Sequence, residues 1–311
     1  MQLEEAIRLY NKPLLDLVYF AAKVHRKYHN PNEIQVCTLL SLKTGGCSED
    51  CAYCAQSARY QTPVINEQFL DPDTVYAKAE EAKQNGSSRF CMGVAWREVP
   101  SRGKTAQKRL NQLIQAIEAA ASTGLEVCLT AGMLNEQVAK KLKAAGLHVY
   151  NHNLDTSPEY YPRIITTRTY KDRLQTLEAV AKAGISICSG GIIGMGESPE
   201  DRVKMLWILS NLKVPPESVP INNLVPIPGT PLEKQKPAES FDMVRTIAVA
   251  RILMPKAKIR LAAGREALSE ETQALCFLAG ANSIFSGKKL LTTPNAGIHR
   301  DKLLFEKLGL K

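Results

Sequence analysis

Arg89-Phe90-Cys91-Met92-Gly93-Val94 decides the architecture, because its residues alternate in character. Period-two spacing puts Arg89, Cys91 and Gly93 on one face of a strand and Phe90, Met92 and Val94 on the other. The same contrast recurs along the chain. Near 125–130, Glu126, Cys128 and Thr130 oppose Leu125, Val127 and Leu129; near 185–191, Ser186, Cys188 and Gly190 oppose Ile185 and Ile187. Near 258–263, Lys258, Arg260 and Ala262 oppose Ile259 and Leu261. The apolar faces belong against helices, so the polar and thiol faces line an interior.

Outward from this stretch, β-rich runs near 34–41, 88–95, 125–130, 147–153, 185–191, 217–224, 258–263 and 282–286 alternate with helical patterns. The helical patterns lie near 72–85, 106–122, 134–145, 169–183, 198–212, 239–253, 268–279 and 300–308. Strands and helices in this alternation predict an α/β fold, a (β/α)8 barrel of the TIM type, over residues 33–311. Residues 1–32 carry Ile7, Leu14, Leu15, Val18 and Phe20 as an apolar face, predicting an N-terminal helical cap outside the barrel.

At 311 residues the length permits one large domain, such as a barrel, or two small ones, and 44% hydrophobic with 23% charged residues is the ordinary globular balance rather than that of a disordered chain. Glu4, Glu5, Arg8, Lys12 and Asp16 make the first twenty residues neither a signal peptide nor an apolar span, so a cytoplasmic protein without membrane contact is expected. The net charge of +9 raises the question of nucleic acid. Its Lys and Arg are scattered, with no basic run and no RNA-binding fingerprint, so no nucleic-acid partner is expected. A basic surface suits anionic ligands or a polyanionic reductase.

Eight cysteines in that compartment point to metal rather than disulfides. Cys47-Ser48-Glu49-Asp50-Cys51-Ala52-Tyr53-Cys54 reads C-x3-C-x2-C. Three thiols so close cannot pair off internally, and no fourth Cys or His follows at zinc-finger spacing. A [4Fe–4S] cluster with one iron open to a reacting ligand fits better than zinc.

Cys91, Cys128 and Cys188, on equivalent faces of three strands, are candidates for a second metal site, the alternative being buried structural thiols. Arg260 would join them as fourth ligand or counter-ion; a protonated guanidinium has no free lone pair, so counter-ion is the expectation from the residues alone. Cys37 and Cys276 read as structural.

Polar stretches at strand ends mark where a barrel builds its active site. Asn151-His152-Asn153-Leu154-Asp155 offers two amides and a carboxylate, with His152 equally a core residue or a catalytic one. Asn222 ends the sixth strand. The glycines of 190–196 let backbone approach a ligand. Thr292-Thr293-Pro294-Asn295 offers hydroxyls and amides to a carboxylate, or forms a plain turn.

The cysteine motif resembles the signature of the radical S-adenosylmethionine superfamily. Together with Tyr150–Pro158, Ile187–Gly191, Ile259–Glu266, Ala279–Phe285 and Leu290–Asn295, it resembles the biotin synthases from about residue 34 to the end. That resemblance implies that Cys47, Cys51 and Cys54 hold a [4Fe–4S] cluster binding S-adenosylmethionine. It further implies that Cys91, Cys128, Cys188 and Arg260 hold a [2Fe–2S] cluster, with Arg260 as an iron ligand against the expectation above.

Tyr53 and the 191–197 segment, including Ile192, would meet the adenine; Asn153, Asp155 and Arg173 the ribose and methionine. Asn153 and Asn222 would hold the ureido ring of dethiobiotin, and Thr292 and Thr293 its carboxylate. The implied reaction is radical insertion of sulfur into dethiobiotin. It calls for flavodoxin or ferredoxin as reductant, iron–sulfur assembly proteins, and a homodimer.

Overall fold

The computed structural model describes residues 1–99 and 102–311. Two helices, α1 (Leu3–Tyr10) and α2 (Leu14–Tyr28), precede the alternating units. The strands are β1 (Gln35–Lys43), β2 (Arg89–Val94), β3 (Glu126–Thr130), β4 (Val149–Asn151), β5 (Ser186–Cys188), β6 (Gly191–Ile193), β7 (Ser218–Asn223), β8 (Lys258–Leu261) and β9 (Ser283–Ser286). Between and after them run α3 (Pro72–Gln84), α4 (Lys104–Ala121), α5 (Glu136–Ala144), α6 (Tyr170–Lys182), α7 (Pro199–Ser210), α8 (Ser240–Leu253), α9 (Glu270–Leu278) and α10 (Ile298–Leu308). Helix starts follow their caps: Asp71, Asn135, Thr169, Ser198 and Ser269 each accept a backbone N–H of the first turn.

All strands pair in parallel, in the order β5-β4-β3-β2-β1-β9-β8-β7-β6, and the Cys188–Ser218 pairing of β5 with β7 closes the barrel. Strand parity is as the alternation predicts. Phe90, Met92, Val127, Leu129, Ile187, Ile259 and Leu261 join the helices in the outer apolar layer, whereas Cys91, Cys128 and Cys188 pack together inside.

The expected single strand near 185–191 is instead broken into β5 and β6. Ser189 donates to the Ser218 carbonyl, and the Gly190 carbonyl receives the N–H groups of Leu154 and Asp155. A Cβ at Gly190 would lie 2.0 Å from the Pro220 carbonyl oxygen. Backbone cannot retreat as a flexible side chain can. Gly190→Ala is therefore expected to destabilise the chain by at least about 1–3 kcal/mol, as read from denaturant midpoints. β4 is also shorter than its predicted run, because His152–Asp155 turn away to meet the broken strand, with His152 N–H on the Cys188 carbonyl at 2.9 Å.

The leading segment divides at Pro13, which cannot continue α1 and opens α2. These helices pack on the outer layer, α1 against α7 and α8, α2 against α8. Arg245 donates to the carbonyls of Tyr10 and Lys12. His25 and His29 stack with ring centroids 5.4 Å apart, and His29 meets Arg251 at 2.9 Å. Burial lowers His25 to about 3, reinforced by Arg251, His29, Arg26 and Lys258; burial and then Arg251 and Lys258 lower His29 to about 4.

Both histidines are neutral when folded and take up protons more readily when unfolded. Stability from this pair is full above about 6.5 and is lost progressively as pH falls toward the folded values. Relative to a His25→Leu variant, the wild-type thermal midpoint is expected to drop between pH 6.5 and 3. A parallel dependence in both proteins would contradict this. Among the described residues, no helix is long and apolar enough to cross a membrane.

Candidate active site

The thiol-rich loop leaves the C-terminal end of β1 through Gly45 and Gly46, both at positive φ (74° and 71°), a conformation that suits glycine. A Cβ on Gly45 would lie 2.2 Å from Asn66 Oδ1. The loop is tied to itself by Cys47 N–H on Gln56 O (2.9 Å) and Ala58 N–H on Cys47 O (2.7 Å). It is tied to the segment before α6 by Asp50, which accepts the N–H groups of Thr166 and Thr167 at 3.0 and 3.1 Å. Glu49 is buried beside Arg97 (3.4 Å) and Arg168 (3.7 Å), and Arg168 Nη2 donates to Cys51 Sγ at 3.8 Å. Burial raises all three thiols, Cys54 to about 12, so binding a metal here releases protons.

Opposite the thiols, Asp155 holds φ at 69°, the only non-glycine at positive φ among the described residues. The Gly190 and Asp155 hydrogen bonds of the broken strand fix it there, with Ile192 N–H returning to the Asp155 carbonyl at 2.9 Å. Its carboxylate accepts from Tyr53 Oη at 2.8 Å and Arg173 Nη2 at 2.5 Å. Arg173 also donates to Asn153 O at 2.7 Å and Tyr161 Oη at 3.0 Å. Burial works against its charge, but Asp155 and its phenolic neighbours outweigh that and raise its pKa.

Two cavities meet at this network. One, of about 180 Å³, is walled by Cys47, Cys51, Cys54, Asn153, Asp155 and Arg173 among others. The second, of about 220 Å³, is walled by Ile192, Asn222, Thr292 and Thr293 and shares Tyr53, Cys54, Asn153 and Asp155 with the first. Three buried polar atoms without a hydrogen-bond partner, Glu49 Oε1, His152 Nε2 and Arg168 Nε, belong to residues of the first cavity. His152 is kept neutral by burial, then by Arg173 and Arg168. Asn222 spends its amide on backbone, donating to Gly191 O at 2.9 Å and accepting from Ala263 N–H at 3.1 Å.

Beneath lies the interior layer of Cys37, Cys91, Cys128 and Cys188, all buried and all free thiols. They pack together as one cluster with Val149, flanked by Leu39 and Phe285. Their mutual proximity lowers Cys188 and Cys91 below the usual thiol range and raises Cys128 in exchange. Arg260 donates to Cys37 Sγ at 3.2 Å, Cys188 Sγ at 3.9 Å and Ser283 Oγ at 3.0 Å, and stacks 4.7 Å over Phe285. Among the described residues, no three His, Cys, Asp or Glu side chains converge as on a single metal ion. Four buried free thiols with an arginine beside them make a soft donor set flanked by a fixed cation.

The floor is crossed by Arg89, 1% exposed, which pairs bidentately with Glu217 (2.9 and 3.0 Å) and reaches Glu126 and Ser218. β2 and β7, which it joins, face each other across the barrel.

The structure thus gathers the expected residues into two levels, Cys47, Cys51, Cys54, Tyr53, Asn153, Asp155, Arg173, Ile192, Asn222, Thr292 and Thr293 at the mouth, Cys91, Cys128, Cys188 and Arg260 below. It moves Cys37, read as structural, into the interior layer. Glu49, Asp50, Arg97 and Arg168 were not singled out. Only the carboxylates inside the cysteine motif could have flagged them.

Residues 41–206 match the family described as the Radical SAM superfamily, and residues 220–311 the Biotin and Thiamin Synthesis associated domain. The chain is 58% identical to a biotin synthase of Cytophaga hutchinsonii, covering 99% of this chain and 90% of that one. It is 55% identical to a mitochondrial biotin synthase of Arabidopsis thaliana, covering 99% and 80%. The fold resembles that of methylornithine synthase (TM-score 0.82, 18% identity, covering 100% and 93%). It also resembles the FeFe-hydrogenase maturase of Carboxydothermus hydrogenoformans (TM-score 0.82, 17% identity, covering 100% and 75%).

Proposed function

Because the chain belongs to the biotin synthase family, a sulfurtransferase family that inserts sulfur into dethiobiotin to form biotin, we propose that its two polar levels divide the work. Cys47, Cys51 and Cys54 hold a [4Fe–4S] cluster at the mouth, and Cys91, Cys128, Cys188 and Arg260 a [2Fe–2S] cluster below. The donor sets fit: three soft thiols on one loop leave a position open, and the buried thiol row has a fixed cation beside it. When bound, these groups and S-adenosylmethionine supply the hydrogen-abstracting radical and the sulfur atom.

The chain's own task is placement. Asp155, with Arg173 and Asn153, presents charge and amide to the ribose and methionine parts; Tyr53 and Ile192 flank the adenine. Asn153 and Asn222 face the ureido ring of dethiobiotin, and the Thr292 and Thr293 hydroxyls its carboxylate. No side chain need move a proton at the unreactive carbon. Shared walls exclude water from the space between cofactor and substrate.

The observation carrying this reading is the pair of cavities meeting at Tyr53, Cys54, Asn153 and Asp155 above the thiol row. The same reading makes residues 1–32 a helical cap on a 33–311 barrel. It also gives flavodoxin or ferredoxin as electron donor, iron–sulfur assembly proteins as suppliers, a homodimer, and a cytoplasmic location. Mössbauer spectra of anaerobically reconstituted protein test it against a Cys91→Ala, Cys128→Ala, Cys188→Ala variant. Loss of a [2Fe–2S] signal with the [4Fe–4S] signal kept is expected; an unchanged spectrum would refute the lower site.

A further inference from the structure

We propose that Thr130 is a positioning residue for both levels of the site, its hydroxyl holding the Asn151 amide so that the Asn151 amino group faces the Cys188 sulfur and the Asn153 side chain together. This rests on the reading that Cys188 is a ligand of the [2Fe–2S] cluster and that Asn153 meets the ligands of the mouth. Thr130, Asn151 and Asn153 all wall the first cavity.

Which way round each amide sits follows from a single backbone donor. Gly190 N–H, which can only donate, lies 3.2 Å from Asn153 Oδ1. Asn151 Nδ2 donates to the same oxygen at 3.0 Å, so both lone pairs of that carbonyl are taken and Asn153 has its amino group to offer a ligand. Turned this way, Asn151 Nδ2 also reaches Cys188 Sγ at 3.2 Å and the Cys188 carbonyl at 3.4 Å. Reversed, Asn151 would set its own oxygen against those same acceptors. Its Oδ1 instead lies 3.0 Å from Thr130 Oγ1, and an amide oxygen only accepts, so Thr130 donates.

Three neighbouring strands supply this line. Thr130 ends β3, Asn151 ends β4, and Asn151 is in register with Cys188 of β5. Without the hydroxyl, Asn151 Oδ1 would face a methyl group in a half-buried place, and an acceptor that has lost its donor turns toward another. The amino group at the other end of the amide would turn with it. Hydrogen bonds to a ligating sulfur help set the potential of an iron–sulfur cluster, because they favour the more negative, reduced form. Thr130 thus acts on the Cys188 sulfur from two strands away, and the same amide that reaches that sulfur also fixes Asn153 above it.

The test uses the full chain, reconstituted anaerobically, as wild type, Thr130→Val, Thr130→Ser, Asn151→Leu, and Thr130→Val with Asn151→Leu. The readout is the midpoint potential of the [2Fe–2S] cluster, with that of the [4Fe–4S] cluster in the same samples as control. Thr130→Val keeps the shape and loses the hydroxyl. It is expected to shift the reduction equilibrium of the lower cluster about tenfold toward the oxidised form, about 59 mV for a one-electron couple, and to leave the upper cluster unmoved. Thr130→Ser should restore most of the wild-type value. The double variant should match Asn151→Leu alone, because Thr130 acts through that amide. An unmoved potential in Thr130→Val, an equal shift in Thr130→Ser, or additive shifts in the double variant would each overturn the proposal. Should Asn151→Leu fail to load the lower cluster, the comparison of Val with Ser at 130 decides by itself. Wild type devoid of a [2Fe–2S] signal would instead sink the reading on which the proposal rests.

Discussion

Cys51→Ala protein, reconstituted without oxygen, is expected to keep the lower cluster, lose the one at the mouth, and fall into the background of a biotin-forming assay. Cys51 is the most buried of the loop thiols, 5% exposed, and faces Arg168 at 3.8 Å. Alanine cannot ligate, and the two remaining thiols leave two irons of a cube without protein ligands. The loop itself should survive, because its ties run through Asp50 and the backbones of Cys47, Gln56 and Ala58 rather than through this sulfur. When the cofactor carries the difficult step, its loss removes nearly all acceleration, a fall of about a thousandfold or more. Iron analysis with turnover decides it; activity within tenfold of wild type would contradict the assignment.

Asp155→Asn is expected to separate stability from turnover. Asparagine tolerates the left-handed conformation that Asp155 adopts at φ 69°, so the backbone is spared. What disappears is, among the described residues, the only carboxylate bonded to Arg173, which is 4% exposed. Leaving a buried cation unpaired costs about 3–5 kcal/mol, seen as a lower denaturant midpoint. Adding Arg173→Met should recover a large part of that stability and none of the activity, since the charge pair presented to the cofactor is gone in both proteins. Recovery of turnover in the double variant would show that the pair only supports the fold.

The barrel was legible because a strand with one face against helices and one against a polar interior writes both faces into alternate residues, as Arg89–Val94 does. The cysteine loop was legible because its three thiols are neighbours in sequence. The break after Cys188 was not, since it depends on Gly190 lying against the Pro220 carbonyl, a partner thirty residues away. Nor was the Tyr53–Asp155–Arg173 network, which three separate segments assemble; only the family resemblance linked those residues to one ligand. That Cys37 faces the interior was hidden for a related reason. Its neighbours Val36 and Leu40 mark the outer face clearly, but Leu39 on its own side hides the interior one.

Arg89, strung from one wall to the opposite wall on Glu217, turns the barrel from a tube into a cup. A cup fills and empties through one rim. Whatever fills the interior layer then lies behind whatever fills the mouth. The base of the cup is one arginine held between two carboxylates, Glu126 and Glu217.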